Sequence, residues 1–252
     1  MDYQKIRGGD LPGEKISVTE GIIPIADRIY TVVKDYIAGR REVGQAKTVI
    51  AFCGGSGVGK STVAAIVRAR LNEDGIGAYT MSGDNYPHRI PAFNDAKRER
   101  VYAEGGKEAL DRYLGSDDEQ DFDTVNAILK AFHRGDRLIP MKRMGRELGE
   151  VSYEKVDFSG IDVLILEWTH ANSDDIRGVD FPVLLNSTPQ ETLEFRRARA
   201  RDGHVDSPFV SMVLELEQKK LAAQAHKAKL IVSRQGEFLT HEEFQSLMRD
   251  LL

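Results

Sequence analysis

Gly54-Gly55-Ser56-Gly57-Val58-Gly59-Lys60-Ser61 matches the pattern G-x-x-x-x-G-K-[ST] in full, and Thr62 follows it. Each part of the pattern has a job. The glycines let the backbone curl until successive N–H groups point inward at phosphate oxygens. A helix leaving at about Ser61 adds the positive end of its dipole. Lys60 is a mobile point charge for the β- and γ-phosphates, and the Ser61 hydroxyl can serve Mg²⁺. An apolar run, Thr48–Cys53, leads straight into the loop. Motif and context together predict binding of a nucleoside triphosphate at residues 54–62.

Two acids follow at spacings that suit chemistry on such a ligand. Asp84, in Met81-Ser82-Gly83-Asp84-Asn85-Tyr86-Pro87-His88-Arg89, stands after a second short apolar run. In an open parallel sheet, ligands lie beyond the carboxyl ends of the strands, so Asp84 shares a rim with the phosphate loop. A carboxylate there can take the proton of an attacking hydroxyl; a helix-capping Asp is the plainer reading of the same spacing. Glu167 ends Asp162-Val163-Leu164-Ile165-Leu166-Glu167-Trp168-Thr169-His170 and is placed to hold Mg²⁺ or a substrate hydroxyl, or simply to cap the strand. His170 either touches substrate or is hydrogen-bonded in a turn. In Phe195-Arg196-Arg197-Ala198-Arg199-Ala200-Arg201, Arg197 and Arg201 lie four apart on one helix face. That pair suits closure over phosphates, or a solvated basic face.

These residues need a frame to hold them. Short apolar runs at Thr48–Cys53, Gly77–Met81, Asp162–Leu166, Pro182–Leu185 and Lys229–Val232 alternate with helical stretches at Ser61–Asn72, Pro189–Asp202 and Phe209 to about Lys227. Alternation of this kind predicts crossover connections and a parallel α/β sheet. Thr240-His241-Glu242-Glu243 is a capping box opening a last helix to Leu251. At the other end, 1–16 reads as a loose arm. A helix capped by Ser17 or Thr19 then runs to about Ala38, with Pro24 tolerable in its first turns. The expected organisation is an arm and helix over 1–46 and a nucleotide-binding domain over 47–252. Within that domain, 85–160 is an insertion for substrate and 190–226 is a lid with its following helix. The insertion reads as helices at about Asp95–Glu104, Lys107–Leu114 and Asp123–Phe132, then an extended stretch from Ile139 to Val156.

Composition narrows the class. The 252 residues are 41% apolar and 30% charged, enough for a full core without staples. With 35 basic and 40 acidic residues the net charge is −5, which argues against a dedicated nucleic-acid binder. No apolar run nears the ~18 residues that span a bilayer, the first twenty residues are polar, and the single Cys53 fits a reducing compartment. The expectation is a cytoplasmic protein acting on a small molecule, with no membrane partner.

Taken together, the chain resembles the phosphoribulokinase/uridine kinase family of P-loop kinases, with pantothenate and glycerate kinase relatives, over roughly residues 45–235. The resemblance rests on the phosphate loop, the G-D-x-[FY] element at Gly83–Tyr86, the strand ending at Glu167 and the Arg-rich stretch 196–202. Asp121-Phe122-Asp123 and the piece beginning Ile139-Pro140 are similar to further elements of the family. The resemblance implies a P-loop three-layer fold with a five-stranded parallel core, often dimeric, and an ATP-dependent kinase using Mg²⁺. It makes Asp84 the base, Glu167 a metal or substrate ligand, and Arg197 and Arg201 lid residues. One departure stands out. Pro140-Met141-Lys142-Arg143-Met144-Gly145-Arg146 carries Lys and Arg where uridine kinases carry Tyr and Asp, which weakens the case for nucleoside recognition. With His88 and Arg89 also near Asp84, and Tyr86 and His170 as further contacts, Lys142, Arg143 and Arg146 suggest an anionic acceptor such as a sugar phosphate or hydroxy acid. A solvated loop or an oligomer contact explains the same three cations. Nucleoside or adenylylsulfate phosphorylation, and a nucleotide-binding regulator without transfer activity, remain the alternatives.

Overall fold

The computed structural model describes residues 2–199 and 207–249, the side chains of Gln4 and Arg199 apart. The core is a six-stranded sheet made of β1 (Thr48–Gly54), β2 (Ala78–Ser82), β5 (Val163–Glu167), β6 (Phe181–Leu185), β7 (Leu230–Val232) and β8 (Phe238–Leu239). Their spatial order is β2-β5-β1-β6-β7-β8. The first five run parallel, as expected; β8, not expected, pairs antiparallel with β7 at the far edge.

All seven residues of β1 are buried because both faces of the sheet are covered. Alternation sorts its side chains. Ile50 and Phe52 face α1 (Ile22–Glu42) and α2 (Lys60–Glu73), meeting Ile29, Val33, Ile66 and Val67. Val49, Ala51 and Cys53 face α4 (Phe122–Arg134), α6 (Pro208–Ala223) and α7 (His241–Met248), meeting Leu129, Leu221 and Phe244. Burial pushes the Cys53 thiol up to about 12, so it is a small apolar filler rather than a reactive group.

Several boundaries differ from expectation for local reasons. No side chain caps α1; it starts at Ile22 behind a backbone turn from Ile22 N–H to the Thr19 carbonyl. The two helices expected between Asp95 and Leu114 are present within α3 (Pro91–Tyr113), the first starting earlier, at Pro91, and the two meeting at Gly106, whose φ of 67° no helix interior allows. α5 begins only at Leu193, because Thr188 and Glu191 exchange side-chain-to-backbone bonds and hold a turn ahead of it. The extended stretch after Ile139 is an antiparallel hairpin, β3 (Leu138–Arg143) with β4 (Ser152–Asp157), separate from the main sheet.

The largest correction concerns the arm. Residues 8–20 are not loose: Gly8 is buried, and the Asp10 side chain is only 6% exposed beneath the sheet edge. A carboxylate that deep needs partners, and it has four.

Candidate functional site

Strand register alone brings the predicted acids together. Glu167 lies beside Phe52 of β1 on one side and Ser82 of β2 on the other. The phosphate loop leaves the same end of β1, and the short turn Gly83–Asn85 that carries Asp84 leaves β2. Chain crossovers therefore put Lys60, Ser61, Glu167 and Asp84 on one rim, at the carboxyl ends of adjacent strands.

The loop has the shape its glycines predict. Gly57 and Gly59 have φ of 80° and 101°, and Gly59 is the residue from which α2 starts. A Cβ on Gly57 would run into the Arg196 stem, and one on Gly59 into Ile22, so the cradle is lined closely on both sides. Lys60 Nζ donates to the carbonyls of Gly54 and Gly55 at 3.0 and 3.1 Å, which holds it across the loop. The residues fit a magnesium-bound nucleoside triphosphate: inward N–H groups, a lysine, a hydroxyl and a carboxylate.

Glu167 is the electrostatic centre of the rim. Ser61 Oγ donates to one of its oxygens at 3.1 Å and Ser82 Oγ to the other. Its carboxyl is raised well above the ordinary range, first by burial, then by the negative fields of Asp84 and Glu14; the Ser82 hydroxyl and Lys60 act against the rise. A cation in this place would relieve that strain. Asp84, by contrast, is exposed, as a group that must meet a second substrate should be. Its turn is fixed by packing: a Cβ on Gly83 would overlap the Trp168 indole, so only glycine allows this approach.

His170 packs edge-on to Trp168, with ring centroids 5.3 Å apart. Burial lowers its pKa to about 4, so it is neutral near pH 7 and can offer or accept one hydrogen bond. Behind it lies a network that residue spacing did not disclose. Arg98 of α3 bridges Glu119 and Glu217, and Glu119 also accepts from Asn94 and from the Gly115 amide. Glu217 sits on α6, so this buried triad ties the insertion to the helix that follows the lid.

The basic residues expected to bind an anionic acceptor are otherwise engaged. Lys142 is buried and donates from Nζ to the Pro87 carbonyl at 2.8 Å. Arg143 is ion-paired with Asp10 at 2.8 Å and with Glu154. Arg89 bonds the Asp118 carbonyl and the Tyr113 hydroxyl, and lines a cavity with Lys97 and Arg112 that shares no residue with the phosphate loop. His88 meets the Asp117 carbonyl at 2.8 Å. Tyr86 is fully buried, its hydroxyl accepting from the Lys142 amide, so it supports the hairpin rather than facing a ligand. Arg146 is exposed on the loop between β3 and β4. Among the described residues Lys142, Arg143, Arg89 and His88 each meet a protein acceptor.

The neighbouring arginines of the lid segment differ in setting. Arg197 lies half-exposed and pairs with Glu194 at 2.7 Å, whereas Arg196 is buried against the phosphate loop and donates to the Pro189 carbonyl. Arg201 lies outside the described residues.

A cavity of about 430 Å³ opens at the loop. Its floor is Gly57–Val63, one wall is Leu185, Phe195 and Val232–Gln235, and the other is formed by Glu14–Ile22 of the arm. The Arg234 guanidinium stacks over the Phe195 ring at 4.9 Å. None of these wall residues was legible in advance, because none belongs to a motif.

Residues 46–101, which hold the phosphate loop, β2 and the Asp84 turn, match the adenylylsulphate kinase family. The chain is 50% identical over 211 residues, 84% of its length, to the bifunctional alpha-galactosidase/sucrose kinase AgaSK of Mediterraneibacter gnavus. It covers 22% of that relative, so it spans about a fifth of the relative's length. Phosphoribulokinase from Rhodobacter spheroides superposes with a TM-score of 0.56 at 15% identity, over 75% of this chain and 70% of that one. D-glycerate 3-kinase from Cryptococcus neoformans gives 0.55 at 13% identity, over 86% and 98%. The chain shares the P-loop α/β fold of phosphoribulokinase and D-glycerate 3-kinase, as the sequence motifs imply.

Proposed function

We propose that this P-loop kinase fold transfers the γ-phosphoryl group of ATP to a hydroxyl of a neutral sugar. One observation carries the transfer: the phosphate loop, Glu167 held between Ser61 and Ser82, and the exposed Asp84 converge on one rim. Two observations support a neutral acceptor over an anionic one. Lys142, Arg143 and Arg89 are matched inside the protein, and the 50% identical relative is named a sucrose kinase.

The chemistry follows from position and charge. The ATP phosphates lie on the N–H groups of 54–61, with the nucleoside in the cavity beside Phe195 and Arg234. Mg²⁺, held by Ser61 and Glu167, would neutralise phosphate charge. Asp84 accepts the proton of the sugar hydroxyl as that oxygen bonds to the γ-phosphorus. The bond from the γ-phosphorus to the β,γ-bridging oxygen breaks, and ADP leaves with the electron pair. Lys60 and Arg196 balance the negative charge spread over the transferred group. His170, held neutral, can orient a sugar hydroxyl without adding charge.

The test is ADP release from Mg-ATP with sucrose, other neutral sugars, a pentose phosphate, glycerate and adenylylsulphate supplied one at a time. Turnover dependent on a neutral sugar, and lost in Asp84→Asn, is the expected result. Turnover confined to adenylylsulphate or to a phosphorylated acceptor contradicts the neutral-sugar reading. ATP binding with no acceptor-dependent turnover contradicts the kinase reading itself.

A further inference from the structure

Asp10 belongs to no motif and lies 74 positions before the proposed base, yet it is the most heavily bonded carboxylate near it. Its Oδ1 accepts from the Ser82 backbone N–H at 2.7 Å and from Asn85 Nδ2 at 3.0 Å. Its Oδ2 accepts from the Tyr79 hydroxyl at 3.0 Å and from Arg143 Nη1 at 2.8 Å. Ser82 lies two residues before Asp84, and Asn85 directly follows it. β2 is an edge strand, so the Ser82 amide has no neighbouring strand on its outer side; Asp10 stands in for that strand. Asn85 then passes the connection on, its Oδ1 accepting from the Met144 amide beyond β3 at 2.9 Å.

The segment carrying Asp10 is itself tied down. Glu14 accepts from the Gly9 amide at 3.0 Å, residues 14–22 wall the nucleotide cavity, and Ile22 rests on Gly59 of the phosphate loop. Residues 9–22 thus form a strap that touches the Asp84 turn at one end and the phosphate loop at the other.

We infer that Asp10 is a positioning residue, which through this strap fixes the Asp84 turn at the height the acceptor hydroxyl requires relative to the phosphate loop. The inference rests on the kinase reading above, in which Asp84 is the base. Asp84 is exposed, so its carboxylate is placed mainly by its backbone. That backbone is held by Trp168 packing against Gly83 and by the bonds that the Ser82 amide and the Asn85 side chain donate to Asp10. Displacing a catalytic group by about 1 Å costs on the order of 10²-fold in rate, which is the scale expected when the latch is removed.

The experiment compares Asp10→Ala, Asp10→Asn and the double variant Asp10→Ala/Asp84→Asn with the parent chain. Steady-state turnover, nucleotide affinity and amide hydrogen exchange are measured on each. Asp10→Ala should lower acceptor-dependent kcat by roughly 30- to 100-fold while the nucleotide Kd stays within about threefold. Asp10→Asn keeps the oxygen that receives the Ser82 amide and loses the charge facing Arg143, so it should retain more activity than Asp10→Ala. The double variant should be no slower than Asp84→Asn alone, because Asp10 acts through Asp84. Exchange at Ser82–Asn85 should quicken in Asp10→Ala by at least about tenfold, with α2 unchanged.

The inference is overturned if Asp10→Ala folds and turns over within about threefold of the parent, or if its loss multiplies in full with that of Asp84→Asn. Should Asp10→Ala fail to fold, Asp10→Asn decides: parental turnover and parental exchange at the turn contradict the latch. A parent chain with no acceptor-dependent turnover refutes the kinase reading. In that case the exchange data still judge the strap, and unchanged exchange at Ser82–Asn85 refutes it separately.

Discussion

The nucleotide side and the acceptor side of the rim are built on different principles. On the proposed kinase reading, the nucleotide side is eight contiguous residues that present their backbone, with left-handed glycines at 57 and 59 and Lys60 held by neighbouring carbonyls. The acceptor side gathers side chains from the segment around Asp10, the Asp84 turn, the insertion and the β3–β4 hairpin. There the partner that neutralises a cation can be very distant: Arg143 meets Asp10 across 133 positions. A local motif announces its ligand, whereas a cluster of charges announces nothing until its partners are known. The same contrast separates the two acids. Glu167 is buried and placed by strand pairing; Asp84 is exposed and placed by bonds to its neighbours.

The comparison can be broken first at Lys60. Lys60→Ala should cost on the order of 10³-fold in kcat while denaturation midpoints stay close to the parent, because among the described residues its own bonds are only two, to neighbouring carbonyls of the loop. A collapse of stability instead would make Lys60 structural. Asp84→Asn comes next, with about 10²-fold lost from kcat and nucleotide Kd held within about twofold. Loss of ATP affinity in that variant would move Asp84 to the nucleotide side. At the lid, Arg196→Ala should raise the KM for ATP by about tenfold and Arg197→Ala by less than about twofold; the reverse order would restore the outer arginine.

Two smaller effects sharpen the contrast. Glu167 carries a folded-state pKa above its unfolded one, so it binds a proton more tightly when folded. Its contribution to stability is fully present below the ordinary glutamate range and is lost as pH rises through the raised value. Between about pH 5 and about pH 8 the parent should therefore lose stability relative to Glu167→Gln, as read from urea midpoints; parallel curves would contradict the burial of its charge. Lys142→Met should lower stability by about 1 kcal/mol through the orphaned Pro87 carbonyl, and shift the preference between neutral and phosphorylated acceptors by less than about twofold. A large shift in preference would return Lys142 to the acceptor site.

How much was legible follows the same division. The five parallel strands were found because each is a short apolar run buried on both faces, and α2 because a complete motif precedes it. β8 was missed because two residues give no pattern, and the hairpin was seen only as an extended stretch because its turn lies in 144–151. The rim position of Asp84 and Glu167 came from the rule for strand ends. The roles of Asp10, Arg98, Arg196 and Phe195 did not, since each depends on long-range packing. Charge patterning alone did not disclose that Lys142 is buried and Arg143 ion-paired, since their partners lie far away in sequence.

Phosphoryl transfer to a neutral sugar, with Asp84 as base, is the proposed reaction. Its most direct test is a competition: Mg-ATP with an equimolar mixture of sucrose, a pentose phosphate, glycerate, adenylylsulphate and uridine, with products resolved by mass. Sucrose should gain one phosphoryl group first, and Asp84→Asn should slow this by about 10²-fold. Preferential phosphorylation of any other acceptor, or equal sucrose phosphorylation by Asp84→Asn, would contradict it.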